Sequence, residues 1–341
     1  MKKTLTLLAL IISFGINAQI TSVGTSNSGT YSSAIGYQTM ASGDYSTAMG
    51  YATTASQSYC TAMGYATTAS GSTSTATGVN TTASGDGSTA MGNVTIASGN
   101  NSTSMGVSTT ASGTNSTAMG NSTTASGNAS TSMGLSTTAS GNNSTAIGFA
   151  TTASGRRSMA MGVYTSASDY GSLVIGQFNS AGSSVTNGPQ SALVFNAGNT
   201  AFVIGNGTNG SNKSDAFKVM FNGDATVSNN LTVVGDVEVQ SDARLKSNIT
   251  SLGSTISKLL LIDGKSYEMK GKQKIGVLAQ EIKEVFPELV SEDDNKILAV
   301  NYQGLVPVLI NALKEQQSEI NRLKDQEKRI ERLEGLVAQL D

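Results

Sequence analysis

Ser116-Thr-Ala-Met-Gly-Asn-Ser-Thr-Thr-Ala-Ser-Gly-Asn-Ala129 is one period of a pattern that recurs every 14 residues. Gly36, Gly50, Gly64, Gly78, Gly92, Gly106, Gly120, Gly134, Gly148, Gly162 and Gly176 mark one phase. Gly43, Gly71, Gly85, Gly99, Gly113, Gly127, Gly141 and Gly155 mark the half-way phase, with Gln57 and Asp169 standing in for glycine. Self-similarity at a fixed spacing is the signature of stacked repeats. Each half-period offers about five strand-compatible residues ending in glycine, which suits a tight corner, and then turn residues. The pattern predicts two short strands per coil in a parallel β-solenoid over residues 31–177. Pairs such as Ala48-Met49 and Ala118-Met119 are expected to fill its thin interior, with Ala55, Ala69 and Ala83 on the opposite strand. At ~4.8 Å per stacked strand, the coils make a rod on the order of 50 Å long. One coil buries too little apolar surface to stand alone, so stacking and oligomerisation must stabilise it.

Composition narrows the chemistry. The 341 residues include no histidine, which removes the commonest general base and metal ligand. No cofactor and no metal are expected. The net charge of −2 gives no electrostatic footprint for nucleic acid. From residue 31 to 177 the charged residues are Asp44, Asp86, Arg156, Arg157 and Asp169, so stacked coils do not repel in register. Asp44 and Asp86 lie on equivalent turns three coils apart, a poor pair for glycoside hydrolysis. The lone Cys60 occupies a repeat position held elsewhere by Ser46, Ser74 and Ser88, and reads as a serine-to-cysteine exchange.

Lys2, Lys3 and the apolar run Leu5 to Ile16, followed by Asn17-Ala18-Gln19, read as an export signal over residues 1–18. Residues 19–30 then form an N-terminal linker. No later apolar run approaches the length of a membrane span. The expectation is an exported chain, secreted or on a bacterial cell surface, with no membrane span after processing. Residues 178–240 lose the period and read as a β-rich neck. Candidate strands there are Ser191 to Phe195, Ala201 to Ile204, Ala216 to Phe221 and Asn230 to Val234, with Asn/Gly turns between them.

After Gln240 the composition turns rich in Lys, Glu, Leu and Ile, opening with Ser241-Asp-Ala-Arg-Leu-Lys246. A tight turn would bring that serine and lysine together, and a neutral lysine can take a serine proton. An amine in water holds its proton at pH 7, so such chemistry requires burial or a neighbouring cation, with Arg244 the nearest in sequence. Farther on, Leu309, Leu313, Gln316, Ile320 and Leu323 follow a 4-3 spacing. Ile330, Leu333, Val337 and Leu340 resume it out of phase after Gln326 and Glu327, as in a coiled-coil helix.

These motifs carry two resemblances. The A-[MI]-G…T-x-A-x-G repeat resembles the head of YadA-type trimeric autotransporter adhesins, which implies a left-handed parallel β-roll of 14-residue coils in a homotrimer. The membrane β-barrel that ends those adhesins has no counterpart after residue 241. Ser241-Asp-Ala-Arg-Leu-Lys-Ser-Asn-Ile249, Tyr267, Ile275 to Ile282, Val285 to Val290, Val300-Asn-Tyr302 and the terminal helix resemble the C-terminal intramolecular chaperone of phage endosialidases and tail spikes. That resemblance implies a small α+β chaperone and autoprotease domain over 241–312, with a coiled coil over 313–341. It implies trimerisation, assisted folding of the upstream fibre, and cleavage between Gln240 and Ser241. Ser241 would then be the nucleophile of a single-turnover reaction and Lys246 its general base, with Asp242 and Arg244 supporting. Gln280 and Glu281 fall in a matched block, where packing or capping is the expected role. The combined reading is a mainly β, adhesin-like homotrimeric fibre, with a surface glycan or protein as the open class of further partner. The alternatives are a non-cleaving fibre, a module whose Thr53-Thr54-type pairs array against glycans or ice, and a phage-type tail fibre, which fits the chaperone but not the export signal.

Overall fold

The computed structural model describes residues 22–180, 192–293 and 296–339. The export-signal reading and Leu340 lie outside them. Two compact units divide at Thr232/Val233.

The first unit is a parallel β-solenoid, as the repeat predicts. Each coil contributes one five-residue strand, such as Thr117–Asn121, and one two-residue strand, such as Thr124–Ala125. Like strands stack in register at a spacing of 14 residues: Thr117 pairs with Thr103 and Thr131, Met119 with Met105 and Met133. The two halves of the period are therefore unequal, where the sequence suggested two similar strands.

Alternation along the long strand corrects a second expectation. Neighbouring residues of a strand face opposite sides, so Ala and Met cannot both enter the core. Alanine wins: Ala48, Ala62, Ala90 and Ala118 are fully buried. Met49, Met63, Met91 and Met161 face outward and are 36–43% exposed. The interior is completed by Ala55, Ala69 and Ala83 and by buried columns of Thr53, Thr67, Thr81 and their equivalents. Thr53 is inside and Thr54 is outside, so the paired threonines do not form one surface row.

The glycines also do a different job from the one expected. Gly120 sits inside the long strand at φ 126, where an added Cβ would lie 2.1 Å from the Gly134 carbonyl oxygen. It is a close-approach position between coils. The left-handed corners fall instead on side-chain-bearing residues such as Tyr45, Asn101, Val94 and Ser108. Corner carboxylates and amides tie successive coils together: Thr30 N–H donates to Asp44 Oδ1 at 2.8 Å and Ser72 N–H to Asp86 Oδ1 at 2.9 Å. Both aspartates are thereby engaged in holding the stack. Cys60 is buried, its thiol donating to the Gln57 carbonyl at 2.8 Å, and burial pushes its pKa up.

The stack ends on a built cap. Thr200–Asn206 adds one more parallel strand to the long-strand sheet, and Asp215–Met220 and Ala225–Val227 then run antiparallel. On the short-strand sheet, the Asn179 side chain replaces the next coil. Its Oδ1 accepts from Ser166 N–H at 2.7 Å and its Nδ2 donates to Ser166 O at 3.0 Å. Of the neck strands expected from sequence, those around 201–204 and 216–221 form. The described part of 191–195 is turn, and 230–234 is not strand.

The second unit is α+β. Hairpins pair Lys265–Met269 with Lys272–Gly276 and Val290–Glu292 with Leu298–Val300. Helices α1 (Ile256–Leu259), α2 (Ala279–Val285) and α3 (Leu305–Val337) complete it. Its core is Ile282, Phe286 and Val308, with Leu259, Ile262 and Val300 among the partly buried residues packed around them. Glu315 fastens α3 to the start of α1, accepting from Thr255 N–H at 2.6 Å and from the Ser254 hydroxyl at 2.7 Å. These donors hold its carboxyl below the usual carboxylate range. Among the described residues, no helix is long and apolar enough to cross a membrane.

Candidate functional site

Five residues of fully extended chain span about 17 Å, so Ser241 and Lys246 meet only if the backbone between them turns. It does. Ala243–Leu245 is a single turn of 3-10 helix, closed by Leu245 N–H to Asp242 O and Lys246 N–H to Ala243 O, each 3.1 Å. Asp242 is its N-cap, with Oδ1 accepting from Arg244 N–H at 2.9 Å. The turn delivers Lys246 Nζ to 2.6 Å from Ser241 Oγ.

The supporting pair is also engaged, in a way that the sequence did not reveal. Arg244 grips Asp242 through Nε and Nη2, the closest contact being 2.6 Å. Its guanidinium hydrogen bonds lower the Asp242 pKa, and the carboxylate raises that of Arg244. The Arg244 guanidinium, the nearest cation in sequence, is thus turned onto Asp242. Gln240, Ser241, Asp242, Arg244 and Leu245 line an open cleft of about 560 Å³. In one chain Ser241 and Lys246 are both exposed.

Gln280 and Glu281 open α2, away from this turn in sequence. Glu281 accepts from Asp263 N–H at 3.2 Å and lies 3.5 Å from Lys265 Nζ, a packing and tethering role. One pair missed in the sequence lies near them. The hydroxyls of Tyr302 and Tyr267 converge on Gly276, where an added Cβ would meet them at 2.7 and 3.2 Å. Two aromatics in separate blocks gave no spacing by which to find this contact.

Comparison with known proteins finds a family match on each side of Gln240. Between residues 28 and 179, seven two-copy windows match the YadA head domain repeat, the first four of them overlapping. Residues 241–291 match the family described as chaperone of endosialidase. The chain therefore joins YadA-type head repeats to an endosialidase-type chaperone segment. It is also similar to long tail fiber protein Gp37 of Escherichia phage AR1, 35% identical over 96 residues, covering 25% of this chain and 9% of that protein. The Gp37 proteins of Enterobacteria phages K3 and T2 are each 32% identical over 96 residues, covering 25% of this chain and 8% and 7% of theirs. The chain thus spans less than a tenth of the curated relatives it matches.

Proposed function

We propose that this chain is the subunit of an exported homotrimeric fibre whose C-terminal unit trimerises, aligns the rod and then cuts itself free between Gln240 and Ser241. The observation that carries the reading is the 2.6 Å contact between Lys246 Nζ and Ser241 Oγ, in a segment matching the chaperone of endosialidase.

The chemistry is set by the atoms present. The Lys246 amine, once neutral, takes the hydroxyl proton as Ser241 Oγ attacks the Gln240 carbonyl carbon. The Gln240–Ser241 C–N bond breaks and its nitrogen receives that proton, leaving an ester from Gln240 to Ser241 Oγ. Water hydrolyses the ester to a Gln240 carboxylate and restores the serine hydroxyl. A solvated lysine is protonated at neutral pH, and here the pair is exposed in one chain. Neighbouring copies must supply the desolvation, which makes assembly the trigger.

Two surfaces support the trimer. On the long-strand sheet, Ile35, Met49, Met63, Met91, Met105 and their successors form an outward apolar column broken only by Thr77 as far as Ile204. On α3, Leu309, Leu313, Ile320 and Leu323 are all at least 44% exposed. Both would be buried by second and third copies. Parallel stacks of near-identical coils form slowly and slip in register, and a clamp at one end fixes their alignment. Removing the clamp afterwards leaves a kinetically trapped fibre. A surface glycan or protein is the expected class of target.

Intact mass of the expressed, assembled chain tests the cutting. Wild type should yield a C-terminal piece of 101 residues (341 − 240), and Ser241→Ala should not. A wild-type trimer that stays whole overturns the autoprotease and leaves a rod with a folding clamp. The Gp37 similarity favours a second reading, a phage-type tail fibre. Export directed by residues 1–18 fused to a reporter separates the two, since a tail fibre assembled inside its host needs no such signal.

A further inference from the structure

We infer that Asp242 is a positioning residue for the cut, acting through its cap on the Arg244 amide rather than through its ion pair with the Arg244 side chain. The inference rests on the Ser–Lys reading above. The contact between Lys246 and Ser241 exists because the intervening backbone winds through one turn, and a single turn is a costly nucleus with little to hold it. None of its three residues is buried, so no packing secures it. What closes it is two backbone hydrogen bonds of 3.1 Å and the side-chain cap of 2.9 Å. The backbone bonds belong to any such turn. Of these three bonds, the cap is the one that depends on a side chain.

The ion pair is a different matter. The Arg244 side chain is 89% exposed, and its contact with Asp242 is an open surface pair worth little in water. Its removal leaves the cap acceptor in place. Asn and Ser also accept from a backbone N–H at an N-cap, whereas Ala cannot. The two roles of Asp242 therefore separate by substitution.

The experiment tracks the first-order appearance of the C-terminal piece in assembled full-length chains, with the oligomeric state read in parallel by sedimentation. Asp242→Ala should cut about tenfold more slowly, the scale of a lost cap. Asp242→Asn and Asp242→Ser should restore the rate to within about threefold of wild type, and Arg244→Gln should leave it there too. Across neutral pH the Asn variant should keep the wild-type profile, since only the cap is asked of the side chain. If Asp242→Ala assembles and cuts at the wild-type rate, or Asp242→Asn is as slow as Asp242→Ala, the inference is overturned. Should Asp242→Ala fail to assemble, the Asn, Ser and Arg244→Gln comparison decides it alone. An uncut wild type instead brings down the Ser–Lys reading on which the inference stands.

Discussion

In the coils the interior is built from the smallest side chains, fully buried alanines flanked by buried threonines and serines, repeated at each rung. In the C-terminal unit a few large side chains, Ile282, Phe286 and Val308, hold the centre, while Leu309, Leu313, Ile320, Leu323, Ile330 and Leu333 lie exposed along one helix. The coils gain stability by repetition: each rung is hydrogen-bonded to the next at a constant offset, and each contributes little by itself. The C-terminal unit instead concentrates its core in one cluster and leaves apolar side chains exposed along α3. A repeat that satisfies its own backbone has no inherent register, and a unit with unsatisfied apolar surface can impose one.

That contrast can be broken from either side. Gly120→Val should do the most damage, because its Cβ would fall on the Gly134 oxygen at a backbone angle that β-branched residues avoid. The expected loss is about 4 kcal/mol or more in the rod, read as a collapse of its thermal transition while the C-terminal unit melts unchanged. Phe286→Ala strikes the other half and should cost that unit about 3–4 kcal/mol, seen in denaturant unfolding of the Ser241→Ala chain. Val94→Gly should raise rod stability by about 1 kcal/mol, since a β-branched residue there holds φ 55; a fall in melting temperature would contradict the corner assignment. Ser104→Ala should cost about 1 kcal/mol or less. The Ser104 hydroxyl lies 2.7 Å from Thr109 Oγ1, a bond that neighbouring coils with alanine lack. The gentlest effect concerns Glu315. Its folded pKa is depressed, so its contribution is present above the unfolded carboxylate value of about 4.3 and fades as pH falls through the lower folded value. Amide exchange at Thr255 should accelerate in that acidic window, and Glu315→Gln should flatten the response.

Periodicity made the rod legible. Eleven glycines at one spacing predict a stack whatever the side chains between them do. It did not reveal which residue of Ala118-Met119 faces inward, because both are apolar and only strand alternation decides. Nor did it separate a glycine needed for close approach, Gly120, from one needed for a corner. The Ser–Lys pair was singled out by the resemblance of its motif, since its spacing alone carries no turn. The Asp242 cap on that turn is a single contact between a side chain and a backbone amide, with no period to announce it. The Glu315 clasp joins residues about sixty positions apart and left no local trace.

The amide of Asn179 imitates a missing neighbour. A stack closed by a side chain at one fixed place has a length written in the gene as a whole number of modules. Duplicating Ser116–Ala129 should push that terminus outward by one rung, about 4.8 Å, while the capping strands keep their pairing. Reach, for this molecule, is then a quantity that recombination between repeats can adjust in steps.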